Sequence, residues 1–268
     1  MLEWYQVIVL SLVQGLTEFL PVSSSAHLIL MPTLFGWPDQ GLAFDIAVHL
    51  GTLIAVIAYF RQDLVRMVID FVQSCSGRVL TAQAKIFWSI GFATIPVGLV
   101  GLLLKKHVET TLRSPMVIAC TTIGFGLILW LADKIGKQQR SLTTLNWRDV
   151  TLIGCAQALS LIPGTSRSGI TLTAGLFAGL TREAAARFSF LLSIPVIILA
   201  GGLETLTLIK SPVAVNWIAL GSGLCLSGIS GYFCIHYFIK LINTVGLLPF
   251  VIYRLLLGIF LICYTLHT

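Results

Sequence analysis

The chain has 268 residues, of which 56% are hydrophobic and 10% charged, and its mean hydropathy is +0.93. A soluble domain carries about 25% charge, so the composition excludes a soluble fold and makes the bilayer the solvent. The net charge of +6 then bears on membrane topology and anionic headgroups, and no nucleic-acid partner is expected.

The chain opens "MLEWYQVIVL", with an acid and no Lys or Arg before the apolar run, so no cleaved signal peptide is expected. Residues 4–35 are apolar but broken by Pro21 and three serines. Two half-length helices around a polar turn are predicted, a re-entrant hairpin over 2–36. Three spans follow at roughly 41–60, 86–104 and 115–132, each near the ~20 residues that cross the hydrocarbon core. Polar links such as "RQDLVR" and "DKIGKQQRSL" separate them. A second broken region, 150–180, is interrupted by "PGTSRSG" and predicts another re-entrant hairpin over 148–180. Spans at about 188–209, 213–239 and 245–266 close the chain. The six cysteines are scattered, with no CxxC pair, and are expected to be reduced thiols packed as small hydrophobes.

The predicted fold is an all-α integral membrane domain over 1–268, with six transmembrane helices and two re-entrant helical hairpins. Irregular backbone at membrane depth is tolerated only inside protein or beside a water-filled cavity. The broken regions also match each other. "QGLTEFLPVSSS" at 14–25 lies beside "QALSLIPGTSRS" at 157–168 if one residue is skipped, pairing Gln14 with Gln157, Pro21 with Pro163 and Ser24 with Ser166. Repeats of about 1–134 and 147–268, each with three spans, must insert with opposite polarity. Sites in such folds lie where the broken helices meet. Placing residues 61–85 in the cytoplasm puts eleven Lys and Arg inside (61, 66, 78, 85, 134, 137, 140, 148, 182, 187 and 240) and four outside (105, 106, 113 and 210). That satisfies the positive-inside rule and leaves both termini on the outer side.

Ionisable residues at membrane depth are functional candidates: Glu18, His27, Asp45, His49, Arg167, Glu204 and Arg254. "PGTSRSGIT" sets Ser166, Arg167 and Ser168 at a helix start, where free N–H groups and the dipole favour an anion. Gly164 lets backbone approach a ligand, and arginine suits phosphate through its planar fork. An ion pair between Arg167 and Glu18 is the plainer alternative. Ser23, Ser24 or Ser25 caps the second half of the first hairpin. His27, three residues after Ser24, shares its face as an outline nucleophile–base pair. Gln14 and Glu18 are spaced i, i+4 and offer oxygen ligands suited to Mg²⁺ or Ca²⁺. Asp45 and His49 are expected to orient the site from behind. Glu204 reads as interfacial, and Arg254 needs a partner or must snorkel.

"QGLTEFLPVSSSAH" and "PGTSRSGIT", with the closing "PFVIYR", resemble the undecaprenyl-pyrophosphate phosphatase family of bacterial inner membranes, the bacitracin-resistance phosphatases. The resemblance covers essentially the whole chain. It implies hydrolysis of undecaprenyl pyrophosphate to the monophosphate carrier of peptidoglycan synthesis, a divalent cation, and interlocking inverted repeats. By position, it makes Glu18 the essential acid, Ser24 or His27 the nucleophile, and Arg167 the phosphate-binding arginine with Ser166, Ser168, Thr171 and the neighbouring Thr165 around it. Gln14 stands where many members have glutamate, and Ala26 where glycine is frequent. A lipid transporter or flippase is the competing class, because inverted repeats with broken helices are typical of secondary transporters. A homodimer stays open.

Overall fold

A computed structural model describes residues 2–77, 79–112, 114–210 and 216–267, and of 105–111 the backbone alone. Arg78 and Arg113 of the charge count, the side chains of Lys105 and Lys106, and the 213–215 start of the fifth predicted span lie outside what is described. The described residues form helices α1 (Trp4–Thr17), α2 (Ser24–Phe35), α3 (Leu42–Tyr59), α4 (Arg61–Cys75), α5 (Ala82–Thr111), α6 (Pro115–Ile135), α7 (Trp147–Ala158), α8 (Arg167–Phe177), α9 (Arg182–Lys210), α10 (Trp217–Val245) and α11 (Leu248–His267). The one β feature among them is an isolated bridge between Arg140 and Leu180.

Six of the helices (α3, α5, α6, α9, α10 and α11) are long and apolar enough to cross a membrane. Large apolar side chains such as Leu103, Leu206, Ile218 and Leu256 are exposed along them. So much outward apolar surface is unsuited to water, and the chain is a multi-pass membrane protein. The short pairs α1–α2 and α7–α8 occupy the two broken regions. One link differs from expectation: "RQDLVR" opens the helix α4 rather than a loop. Leu64 and Met67 pack inward at helical spacing, while Asp63 sits in the first turn, where the dipole favours an acid.

Small residues bring these helices together, because lipid gives little hydrophobic drive for association. Gly223, Ser227 and Gly231 form a stripe on α10 at spacing i, i+4, i+8. A side chain at Gly51 of α3 would collide with Ser227 of that stripe, and one at Gly15 of α1 with Ser227 O and the neighbouring Ser230. On the other side of the bundle, a Cβ at Gly154 of α7 would stand 2.8 Å from Ala93 Cα of α5. A Cβ at Gly258 of α11 would likewise collide with the Ile123 side chain of α6. These contacts wedge α1 against α10 and α7 against α5, and so aim both turns at the centre of the bundle.

Candidate active site

The α1–α2 turn (18–23) and the 162–166 turn meet tip to tip. Ser168 Oγ donates to Leu20 O at 2.8 Å. Arg254 of α11, fully buried, holds both tips. Its Nη1 donates to Pro21 O and Thr165 O at 3.1 Å, its Nη2 to Gly164 O at 3.0 Å, and its Nε to Thr122 O of α6 at 3.0 Å. These four partners are all main-chain carbonyls: three belong to the turns, which leave them without helical partners, and the fourth is that of Thr122 inside α6. Arg254 neither snorkels nor needs an acid.

Both turns end alike. Ser23 (φ 74°) and Ser166 (φ 71°) hold the left-handed conformation immediately before α2 and α8. Such backbone costs of order 1–3 kcal/mol and persists where the surroundings impose it. Ser23 Oγ pairs with Ser25 Oγ at 3.3 Å, and Ser166 Oγ with Ser168 Oγ at 3.2 Å. The backbone thus equates Ser23 with Ser166 with no residue skipped. Ser24, matched by sequence to Ser166, stands opposite Arg167. The turns differ in their caps. Ser166 Oγ accepts from Gly169 N at 3.1 Å, whereas Ser23 makes no side-chain cap to α2. The first N–H groups of α2 therefore keep their capacity for an anion.

A cavity of about 190 Å³ lies at this junction, lined by Glu18, Ser23, Ser24, Ser25, His49, Ser160, Ser166, Arg167 and Glu204 among others. Glu18 is its hub. Oε1 accepts from Arg167 Nη2 at 2.8 Å, and Oε2 accepts from Ser24 Oγ at 2.6 Å and Gln14 Nε2 at 3.0 Å. Arg167 Nη1 also donates to Ser189 O at 3.1 Å. His49 Nε2 stands 3.9 Å from Glu18 Oε2, and its Nδ1 is 2.7 Å from Asp45 O one turn back.

Several expectations are redrawn by this geometry. Ser24 is paired with Glu18, not with His27. The His27 ring turns away, with Nδ1 2.7 Å from Ser23 O and Nε2 2.5 Å from Tyr253 OH, against which it also stacks. Gly164 and Thr165 of the second turn, and Ser168 and Thr171 in the first turns of α8, lie outside the cavity lining; Thr171 Oγ1 bonds Arg167 O and Ser189 Oγ at 2.8 and 2.7 Å. Asp45 accepts from Gln40 Nε2 at 2.9 Å, and its backbone oxygen stands against His49 Nδ1. Glu204, expected at the interface, lines the cavity. Tyr253 and Ser189 were not singled out in the sequence. A tyrosine beside a deep arginine in "VIYR" was the available signal for the first, and nothing local pointed to the second.

Fold and site together define a polytopic membrane protein with a buried pocket lined by an acid, an arginine and several serines, built where the two short helix pairs meet. Residues 7–260 match the family described as bacitracin resistance protein BacA, and the chain belongs to that family. It is 59% identical over 260 residues to undecaprenyl-diphosphatase 2 of Stutzerimonas stutzeri, covering 96% of each chain. It is 58% identical over 257 residues to the undecaprenyl-diphosphatase of Nitrosococcus oceani (96% and 97% covered) and 52% over 261 residues to that of Campylobacter concisus (97% and 98%).

Proposed function

We infer that this protein is an undecaprenyl-diphosphatase: it removes the terminal phosphate of undecaprenyl pyrophosphate within the membrane. One observation carries the chemistry beyond the family relationship. A serine hydroxyl donates to a carboxylate that an arginine also holds, beside an uncapped helix N-terminus.

The residues then divide the work as follows. The terminal phosphate enters against the α2 N–H groups and draws Arg167 onto itself, since guanidinium binds phosphate bidentately. Glu18, relieved of its cation, accepts the Ser24 proton as the Ser24 oxygen attacks phosphorus in line. The bridging P–O bond breaks, and the lipid monophosphate leaves. Glu18 hands the Ser24 proton to the departing monophosphate oxygen and is a carboxylate again. It then takes a proton from the water that attacks the phosphoserine and returns it to the Ser24 oxygen as the Ser24 O–P bond breaks and inorganic phosphate leaves. Both His27 nitrogens are engaged by Ser23 O and Tyr253 OH, which favours Ser24 over His27 as nucleophile.

A divalent cation, Mg²⁺ or Ca²⁺, fits beside Glu18. Gln14 Oε1 is buried with no partner and lies on the same helix face as Glu18. Among the described residues no three His, Cys, Asp or Glu gather as a metal site, so phosphate oxygens and water would fill the remaining positions. Bound there, the ion would neutralise phosphate charge.

We read α1–α2 and α7–α8 as re-entrant hairpins of an inverted repeat. The packing supports this: α1 lies on α10 as α7 lies on α5, α3 on α10 as α9 on α5, and the halves join through α3–α9 and α6–α11. With the positive-inside assignment, both termini lie on the outer side of the bacterial inner membrane and the pocket faces outward. Phosphate release from undecaprenyl pyrophosphate by purified protein, with and without chelator, tests the activity and its metal requirement. Cysteine accessibility at both termini in intact cells tests the topology.

A further inference from the structure

A second cavity of about 250 Å³ adjoins the polar pocket. The two share Val97, Leu161, Val196, Ala200 and Glu204 in their walls. On α5 the new cavity uses Val97, Gly98, Gly101 and Leu102, and on α9 Val196, Leu199, Ala200, Leu203 and Glu204. Both sets fall on single helix faces by their spacing. Leu161, from the turn after α7, forms the inner end. Leu102, Leu199 and Leu203 are exposed along the outer edge, so the slot runs from the polar pocket to the lipid.

Glycines inside membrane helices usually mark close helix contact. Gly98 and Gly101 do not. A Cβ at Gly98 meets nothing within 4 Å, and one at Gly101 meets only the tip of Leu161 at 3.8 Å. Glycine weakens a helix, and no packing reason offsets that here. What the two glycines do is hollow the α5 wall of the slot.

We propose that this slot holds the first isoprene units of the substrate's tail, with Gly98 and Gly101 setting the width it admits. The proposal rests on the phosphatase reading above. Its occupant follows from continuity, since a phosphate held by Arg167 must send its attached chain along an adjoining apolar path. The slot's volume is below the roughly 300–1,000 Å³ that encloses a drug-sized ligand, so only the start of a long tail fits, and the remainder lies in the bilayer.

The test compares kcat/KM for one-, three- and eleven-unit prenyl pyrophosphates in wild type, Gly98→Leu and Gly101→Leu, with retention volume and unfolding midpoint in detergent as folding controls. In wild type, kcat/KM should rise between one and three units and change little from three to eleven. Filling the slot should lower it about tenfold or more for the longer substrates, in line with the worth of a misfitted apolar group, and leave the one-unit substrate within about twofold. Gly98→Ala, which meets no neighbour, serves as a milder step in the same direction. Equal loss for all three substrates, or no loss for any, in folded variants overturns the slot. Absence of wild-type hydrolysis of every prenyl pyrophosphate overturns the phosphatase reading itself, and the slot with it.

Discussion

Arg167 Nη2 donates to Glu18 Oε1 at 2.8 Å across 149 residues of sequence. The pair joins the two turns and sets the resting state of the pocket, with an acid held by a cation that the substrate's phosphate can claim. Breaking it strands a buried carboxylate. Arg167→Ala should therefore lower turnover by about 10²–10³-fold, the scale of losing one positioned charge-stabilising donor. Arg167→Lys should restore little, because a point charge lacks the fork. Steady-state phosphate release measures both.

Ser24 and His27 are separated by the roles assigned to them. Ser24→Ala should abolish phosphoenzyme formation, and Glu18→Gln should slow turnover by about 10²–10⁴-fold, the usual range for a lost general base. Rapid quench followed by mass spectrometry should locate the phosphoryl group on Ser24. A phosphohistidine at His27 would reverse the assignment.

Arg254 organises the tips without touching the cavity. Arg254→Lys keeps the charge but cannot satisfy four carbonyl contacts with three donors. Each hydrogen bond to a charged group is worth about 1.5–3 kcal/mol, so the unfolding midpoint in detergent should fall clearly. Turnover should fall with it, and KM should change less than kcat.

The small-residue contacts give a stability prediction independent of chemistry. Gly51→Ala should destabilise by about 1–3 kcal/mol, because the new methyl strikes Ser227 and Leu224 O across the α3–α10 contact. Gly91→Ala, which meets nothing within 4 Å, should be neutral or mildly stabilising. Thermal melts in one detergent compare them.

Hydropathy and breakers made the six long helices and both turns legible, since span length and Pro or Ser interruptions are local properties. The Glu18–Arg167 encounter was legible as an alternative, because the acid and the arginine are each costly alone at depth. The pairing of Ser24 with Glu18 was not. Helix spacing puts His27 on the Ser24 face, but Tyr253, 226 residues away, turns the ring aside. Arg254 was equally opaque, because carbonyls left open by turns carry no sequence signal. Glu204 looked interfacial by its place near a span end, and only the approach of α5 to α9 brings it into the cavity wall. The sequence match between the two turns runs one residue off because Pro21 and Pro163 attract it, whereas the positive-φ positions of the two turns are Ser23 and Ser166.

The most direct measurement is phosphate release from undecaprenyl pyrophosphate by purified wild-type protein and by folded Ser24→Ala and Arg167→Ala variants. The account predicts steady release by the wild type and near-background release by both variants. No release by the wild type, or near-normal release by Ser24→Ala, would contradict it.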